Sequence, residues 1–116
     1  MSAPACISPF DVAEGQLEAY NAHDLEGFLS FYADDVVVAD LNGAVTVRGV
    51  GELRERYAKT FGENPENHAE LMNRIIIANT VIDHERVRRS PGAITFDVAA
   101  IYTIADAKIV RVDFVK

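Results

Sequence analysis

The sequence predicts an α+β domain: three N-terminal helices packed on a strongly curved antiparallel sheet. Three observations carry that reading. Apolar residues recur at helical spacing through much of the first half of the chain, up to about residue 61. A β-branched stretch followed by Asn42-Gly43 interrupts them. After about His68 the pattern reads as strand, in four long segments. Helices that come early beside antiparallel strands cover one sheet face.

Ser8-Pro9 with Asp11 reads as an N-cap, a proline at the first helical position and an acid in the first turn. Phe10, Ala13, Leu17 and Tyr20 then share one face of a helix that ends near Asn21. Asp24 caps a second helix, with Leu25, Phe28, Leu29 and Tyr32 at the i, i+3, i+4, i+7 positions. Val36 to Leu41 is a strand, and Asn42-Gly43 predicts a type I′ turn that returns Ala44 to Arg48 as its hairpin partner. Gly49 to Phe61 is a third helix with Val50, Leu53, Tyr57 and Phe61 on one side, stopped by Gly62 and Pro65. Glu70 to Ala78 and Val81 to Arg89 are strands. Ile94, Phe96, Val98, Ala100, Tyr102 and Ile104 keep one apolar phase of period two. A turn at Ala105-Asp106-Ala107 leads to a last strand, Lys108 to Val115, in which Val110, Val112 and Phe114 alternate with Arg111 and Asp113.

A chain of 116 residues fits a single domain spanning 1–116, with residues 1–8 as a flexible arm. The formal net charge of −7 disfavours nucleic acid and anionic membrane as partners. Cys6 is the only cysteine, so no intrachain disulfide can form, and its position in the arm suits a small apolar filler better than a nucleophile. The N-terminal residues lack a basic segment followed by an apolar one, and no apolar run nears the roughly 20 residues that span a bilayer. A cytoplasmic location is expected.

Polar groups on apolar faces are the informative residues, because burying them unpaired is costly. Asp40 shares its strand phase with Val36 and Val38, which suits a general base whose pKa an apolar wall raises. The plain alternative is a strand-end Asp that satisfies turn amides. Gln16 lies among Ala13, Leu17 and Tyr20, where it either donates to a ligand carbonyl or reaches the rim. Tyr32, Tyr57 and Tyr102 project from apolar faces, the usual place of core tyrosines with satisfied hydroxyls. Asp83 and Glu85 share a phase with Val81 and Val87; inward, they add carboxylates to a cavity, and outward they are a solvated face. His23, His68 and His84 show no ligand spacing, and no phosphate loop or nucleophile elbow is present. Neither a metal nor another cofactor is expected.

Tyr20-Asn-Ala-His-Asp-Leu-Glu-Gly27, with Phe31-Tyr-Ala-Asp-Asp-Val36 and Arg48-Gly49, resembles the SnoaL-like and steroid Δ5-isomerase-like branch of the nuclear-transport-factor-2-like superfamily. The resemblance runs from about Phe10 to the C-terminus. It implies a conical, cystatin-like fold with a deep pocket, and frequent homodimers packed through the sheet. Against the ketosteroid isomerases, Asp40 falls at the general-base position, and Tyr32 and Tyr57 fall where supporting tyrosines occur. Gln16 stands where the donor tyrosine should be, and Ala100 where the protonated aspartic acid should be. Losing one oxyanion donor typically costs about 100- to 1000-fold in rate, so steroid isomerisation is not expected.

The sequence therefore predicts a pocket for a small apolar or carbonyl-bearing molecule. Asp40 would be its catalytic base, with Gln16, Tyr32, Tyr57, Tyr102, Phe114 and Glu85 around the ligand. A non-catalytic ligand-binding or dimeric scaffold is the rival. A water-activating hydrolase of the limonene epoxide hydrolase type is a third reading, with Asp40, Arg74 and Glu85 as loose substitutes for its Asp-Arg-Asp set.

Overall fold

A computed structural model describes residues 7–116. Cys6 and most of the arm expected over residues 1–8 lie outside the described residues. Ser8 does not belong to an arm: it caps the first helix. Its hydroxyl accepts from the Asp11 amide at 3.2 Å, and the Asp11 carboxylate accepts from the Ser8 amide at 3.1 Å. This reciprocal pair satisfies amides that the helix start leaves open.

Among the described residues the order is α1 (Pro9–Asn21), α2 (Leu25–Leu29), β1 (Tyr32–Asp40), β2 (Val45–Arg48), α3 (Gly49–Glu63), then β3 (His68–Ile77), β4 (Thr80–Arg88), β5 (Phe96–Ala105) and β6 (Lys108–Val115). The strands form one six-stranded sheet in the order β2-β1-β6-β5-β4-β3. Every neighbouring pair is antiparallel except β1 and β6, which run parallel. The sheet is therefore mixed at one junction, because the last strand of the β3–β6 meander docks beside the first strand of the hairpin.

The helices lie on one sheet face and bury Val12, Phe28 and Leu53 against Val36, Val38, Val81, Ile109 and Val112. Aromatic rings fill the space beneath them. Phe28 lies 4.7 Å from Tyr57 and 4.8 Å from Tyr32, centroid to centroid.

Three local expectations change. Tyr32 opens β1 instead of closing α2. The Phe31 carbonyl accepts from the Ile109 amide at 2.8 Å, and Tyr32 pairs with Ile109, so the sheet captures the chain as soon as the short helix ends. The hairpin turn sits one residue early: Gly43 donates to the Asp40 carbonyl at 2.8 Å, and Asn42 alone takes a left-handed φ, +56°. Ile94 stands outside β5 and is 92 % exposed, because pairing with β4 ends at Val87–Phe96. A β-bulge in β3 between Leu71 and Asn73 inserts Met72 and brings Arg74, not Asn73, opposite Asp83.

Candidate functional site

A cavity of about 150 Å³ opens between the helices and the sheet. Gln16, Tyr32, Tyr57, Tyr102, Phe114 and Glu85, the six residues expected around a ligand, all line it. Asp40 does not. The β6 register keeps it opposite Phe114 and in phase with Val38, but it is the last residue of β1 and its side chain is exposed beside the turn. The lining of the cavity on this strand includes Val38 and stops there. The expected base is thus outside the hollow, because the strand ends where the base would have to sit. Its carbonyl, not its carboxylate, closes the turn.

Gln16 organises the polar wall. It is 3 % exposed, on the buried face of α1 with Val12, Ala13 and Leu17. Tyr32 donates to its Oε1 at 3.0 Å, and its Nε2 donates to the Tyr102 hydroxyl at 3.1 Å and to the Ala13 carbonyl at 3.2 Å. Because Tyr102 accepts from Gln16, its own O–H remains able to donate to a group in the cavity. The amide polarises that hydroxyl, which strengthens it as a donor. Burial raises the pKa of both tyrosines well above the usual value, so both stay neutral donors. Burial also pushes Tyr57 up to about 12, with Tyr20 adding to the rise and Arg56 opposing it.

Asp83 and Glu85 both turn inward, which settles their face. Asp83 is fully buried, and Arg74 grips both its oxygens at 2.7 and 2.9 Å while reaching Glu14 at 2.9 Å. Glu85 is 7 % exposed, lines the cavity, and its Oε2 is buried with no hydrogen-bond partner in the protein. Burial raises its pKa to about 7; the Asp83 charge adds to the rise and Arg74 opposes it. A carboxyl poised there can give or take a proton near neutrality.

The acid–arginine–acid set that does form is Glu14, Arg74 and Asp83. It is not the expected Asp40, Arg74 and Glu85: β1 and β3 are separated by three strands of the sheet. The hydrolase arrangement is not assembled. Among the described residues no group of three His, Cys, Asp or Glu is placed to hold a metal ion.

Sequence reasoning missed the cavity mouth, where Arg56, Arg89 and Lys116 stand. It also missed Asn67, which is 2 % exposed and donates to the Tyr20 hydroxyl at 2.6 Å. Neither had a periodic signal: Arg56 lies beside the apolar face of α3, and Asn67 and Arg89 lie outside the regular elements.

A profile of the SnoaL-like domain matches residues 13–112. The chain belongs to the SnoaL-like family. Among solved structures, this SnoaL-like chain is similar to an uncharacterized cystatin fold protein from Novosphingobium aromaticivorans. The two share 32% identity over 96% of this chain and 100% of that one, at a TM-score of 0.89. It is also similar to a proposed polyketide cyclase from Sinorhizobium meliloti, with 22% identity over 90% of this chain and 94% of that one, at a TM-score of 0.76. A protein of ketosteroid isomerase-like fold from Catenulispora acidiphila, solved in complex with trimethylamine, shares the fold at 13% identity and a TM-score of 0.76. That match covers 91% of this chain and 85% of the other. No curated protein matches the sequence. The nuclear-transport-factor-2-like and ketosteroid isomerase-like fold expected from the motifs is therefore the fold of this SnoaL-like domain.

Proposed function

We propose that this SnoaL-like domain binds a small carbonyl-bearing molecule and moves a proton at the carbon next to the carbonyl. Glu85 serves as the base, and the Tyr102 hydroxyl holds the developing oxyanion. The observation that carries this reading is the Glu85 Oε2 atom, buried in the cavity wall with nothing in the protein to bond. A buried acceptor without a partner is costly, and a ligand that supplies a proton or donor there recovers that cost.

The chemistry needs a base near neutrality and a neutral donor for the oxygen. Glu85 supplies the first, with its pKa at about 7. Tyr102, backed by Gln16 and Tyr32, supplies the second. The resemblance to isomerases places an acid at Ala100, on β5. Here the inward carboxyls stand one strand over on β4, where Asp83 pairs with Ala100 and Glu85 with Val98. That shift moves the acid work from β1 and β5 onto β4, and it removes any need for Asp40. The SnoaL-like domain and the cyclase-like structural neighbour fit an isomerase- or cyclase-like reaction of this type.

The test is hydrogen–deuterium exchange at the α-carbon of cyclic enones and β-diketones, followed by NMR. Wild type and Asp40→Asn are expected to exchange at the same rate. Glu85→Gln is expected to lose the enzymatic rate, and Tyr102→Phe to lose about 100-fold, the scale of one oxyanion donor. Wild-type exchange unchanged by Glu85→Gln removes Glu85 from the mechanism. Ligand binding without exchange in any form leaves a carrier.

A further inference from the structure

The cavity carries a polarity that the overall charge hides. The chain has a formal net charge of −7, yet the ionisable lining besides the tyrosines is one carboxyl, Glu85, and three cations, Arg56, Arg89 and Lys116. Among the described residues none of these cations has a carboxylate within salt-bridge distance. Neutral groups position them instead. Arg56 donates to the Thr46 hydroxyl at 3.0 Å. Arg89 donates to Asn67 Oδ1 at 2.8 Å and stacks 5.2 Å over the Phe96 ring. The Lys116 ammonium sits 5.5 Å from the Phe114 centroid. Arg56 comes from α3 and Arg89 follows β4, and both line the same cavity.

Unpaired guanidinium groups held in place by neutral partners make a receptor for a planar anion. Cations lining a low-dielectric cleft also concentrate anions locally, even on an acidic protein. The size limits what lies between mouth and floor: a cavity of about 150 Å³ accepts a molecule on the scale of benzene.

We propose that the mouth is an anion subsite, and that the ligand is a one-ring molecule with a carboxylate at the Arg56–Arg89 end and a carbonyl or hydroxyl at the Tyr102–Glu85 end. This rests on the cavity being a small-molecule site, as the proposed function requires. It adds the substrate class: cyclic keto or hydroxy acids, not neutral multi-ring ketones.

Calorimetric titration with 4-hydroxybenzoate and 4-hydroxybenzamide tests it, since the two differ only in the charge at one end. The acid is expected to bind about ten- to a hundredfold tighter, the range of charge-assisted hydrogen bonds, with an advantage that shrinks as salt is raised. Arg56→Gln and Arg89→Gln are each expected to erase much of that advantage, weakening the acid far more than the amide, whose carbonyl still accepts a hydrogen bond from the glutamine. Arg89 also holds the buried Asn67, so Arg56→Gln is the variant that separates charge from folding. Equal affinity for acid and amide, or an acid preference that survives both variants, overturns the anion subsite alone. Failure of both ligands to bind overturns the small-molecule reading and this proposal with it.

Discussion

Glu85 is held between burial and Asp83, which favour its neutral form, and Arg74, which favours its charge. Its folded pKa of about 7 lies above the ordinary value of 4.5, so between those values the folded protein binds more protons than the unfolded chain. Stability from this group is full below pH 4.5 and is lost as pH rises toward 7, by up to the order of 3 kcal/mol. Urea denaturation at pH 5 and pH 8 is expected to show wild type losing stability relative to Glu85→Gln, which cannot titrate. Parallel behaviour of the two proteins would contradict a buried, protonated Glu85. Arg74 and Asp83 give a second prediction. Arg74→Met leaves Asp83 buried and unpaired, and is expected to cost about 3–5 kcal/mol. Arg74→Met combined with Asp83→Leu should recover most of that loss in the same denaturation experiment, because the uncompensated charge is gone. Inward carboxylates on β4 were legible from alternation as one of two faces. The Arg74 pairing was not, because it depends on a bulge.

The elements separate what local chemistry sets from what neighbours set. The α1 start was readable, since Ser8, Pro9 and Asp11 carry the cap chemistry in a row. Ser8→Ala is therefore expected to cost about 1 kcal/mol, measured by thermal or chemical melting. That cap anchors the helix that carries Gln16, so the same variant should weaken ligand binding only through stability. The α2–β1 boundary was not readable, because Tyr32 continues the helical spacing of Leu25, Phe28 and Leu29 while its backbone pairs with Ile109 across the sheet. Alternation along β1 placed Asp40 in the right phase but could not say where the cavity ends. The Met72 bulge in β3 has no sequence signature in a run that reads Leu-Met-Asn-Arg, yet it decides which residue meets Asp83.

For the whole molecule, the helices cover one sheet face and leave the other to water. On that second face Ile75, Ile82 and Ile101 stand in register across β3, β4 and β5, with Ile75 47 % exposed. A second copy packed through the sheet, as the resemblance implies, would cover this row. Light scattering is expected to give a dimer mass for wild type and a monomer mass for the double variant Ile82→Glu, Ile101→Glu. A monomeric wild type would set that arrangement aside. No helix among the described residues is long and apolar enough to cross a membrane. Element order, the α1 and α2 caps, the apolar faces and the family are legible in the chain, because they follow from periodicity and short motifs in neighbouring residues. The sequence also named six residues that line the cavity, since inward phase is a local property of a strand or helix. The folded arrangement alone shows that Asp40 lies outside the lining, that Glu85 Oε2 has no partner within it, and that Arg56 and Arg89 line one cavity. Those outcomes depend on strand ends, a bulge and the meeting of segments distant along the chain, and no local pattern encodes them.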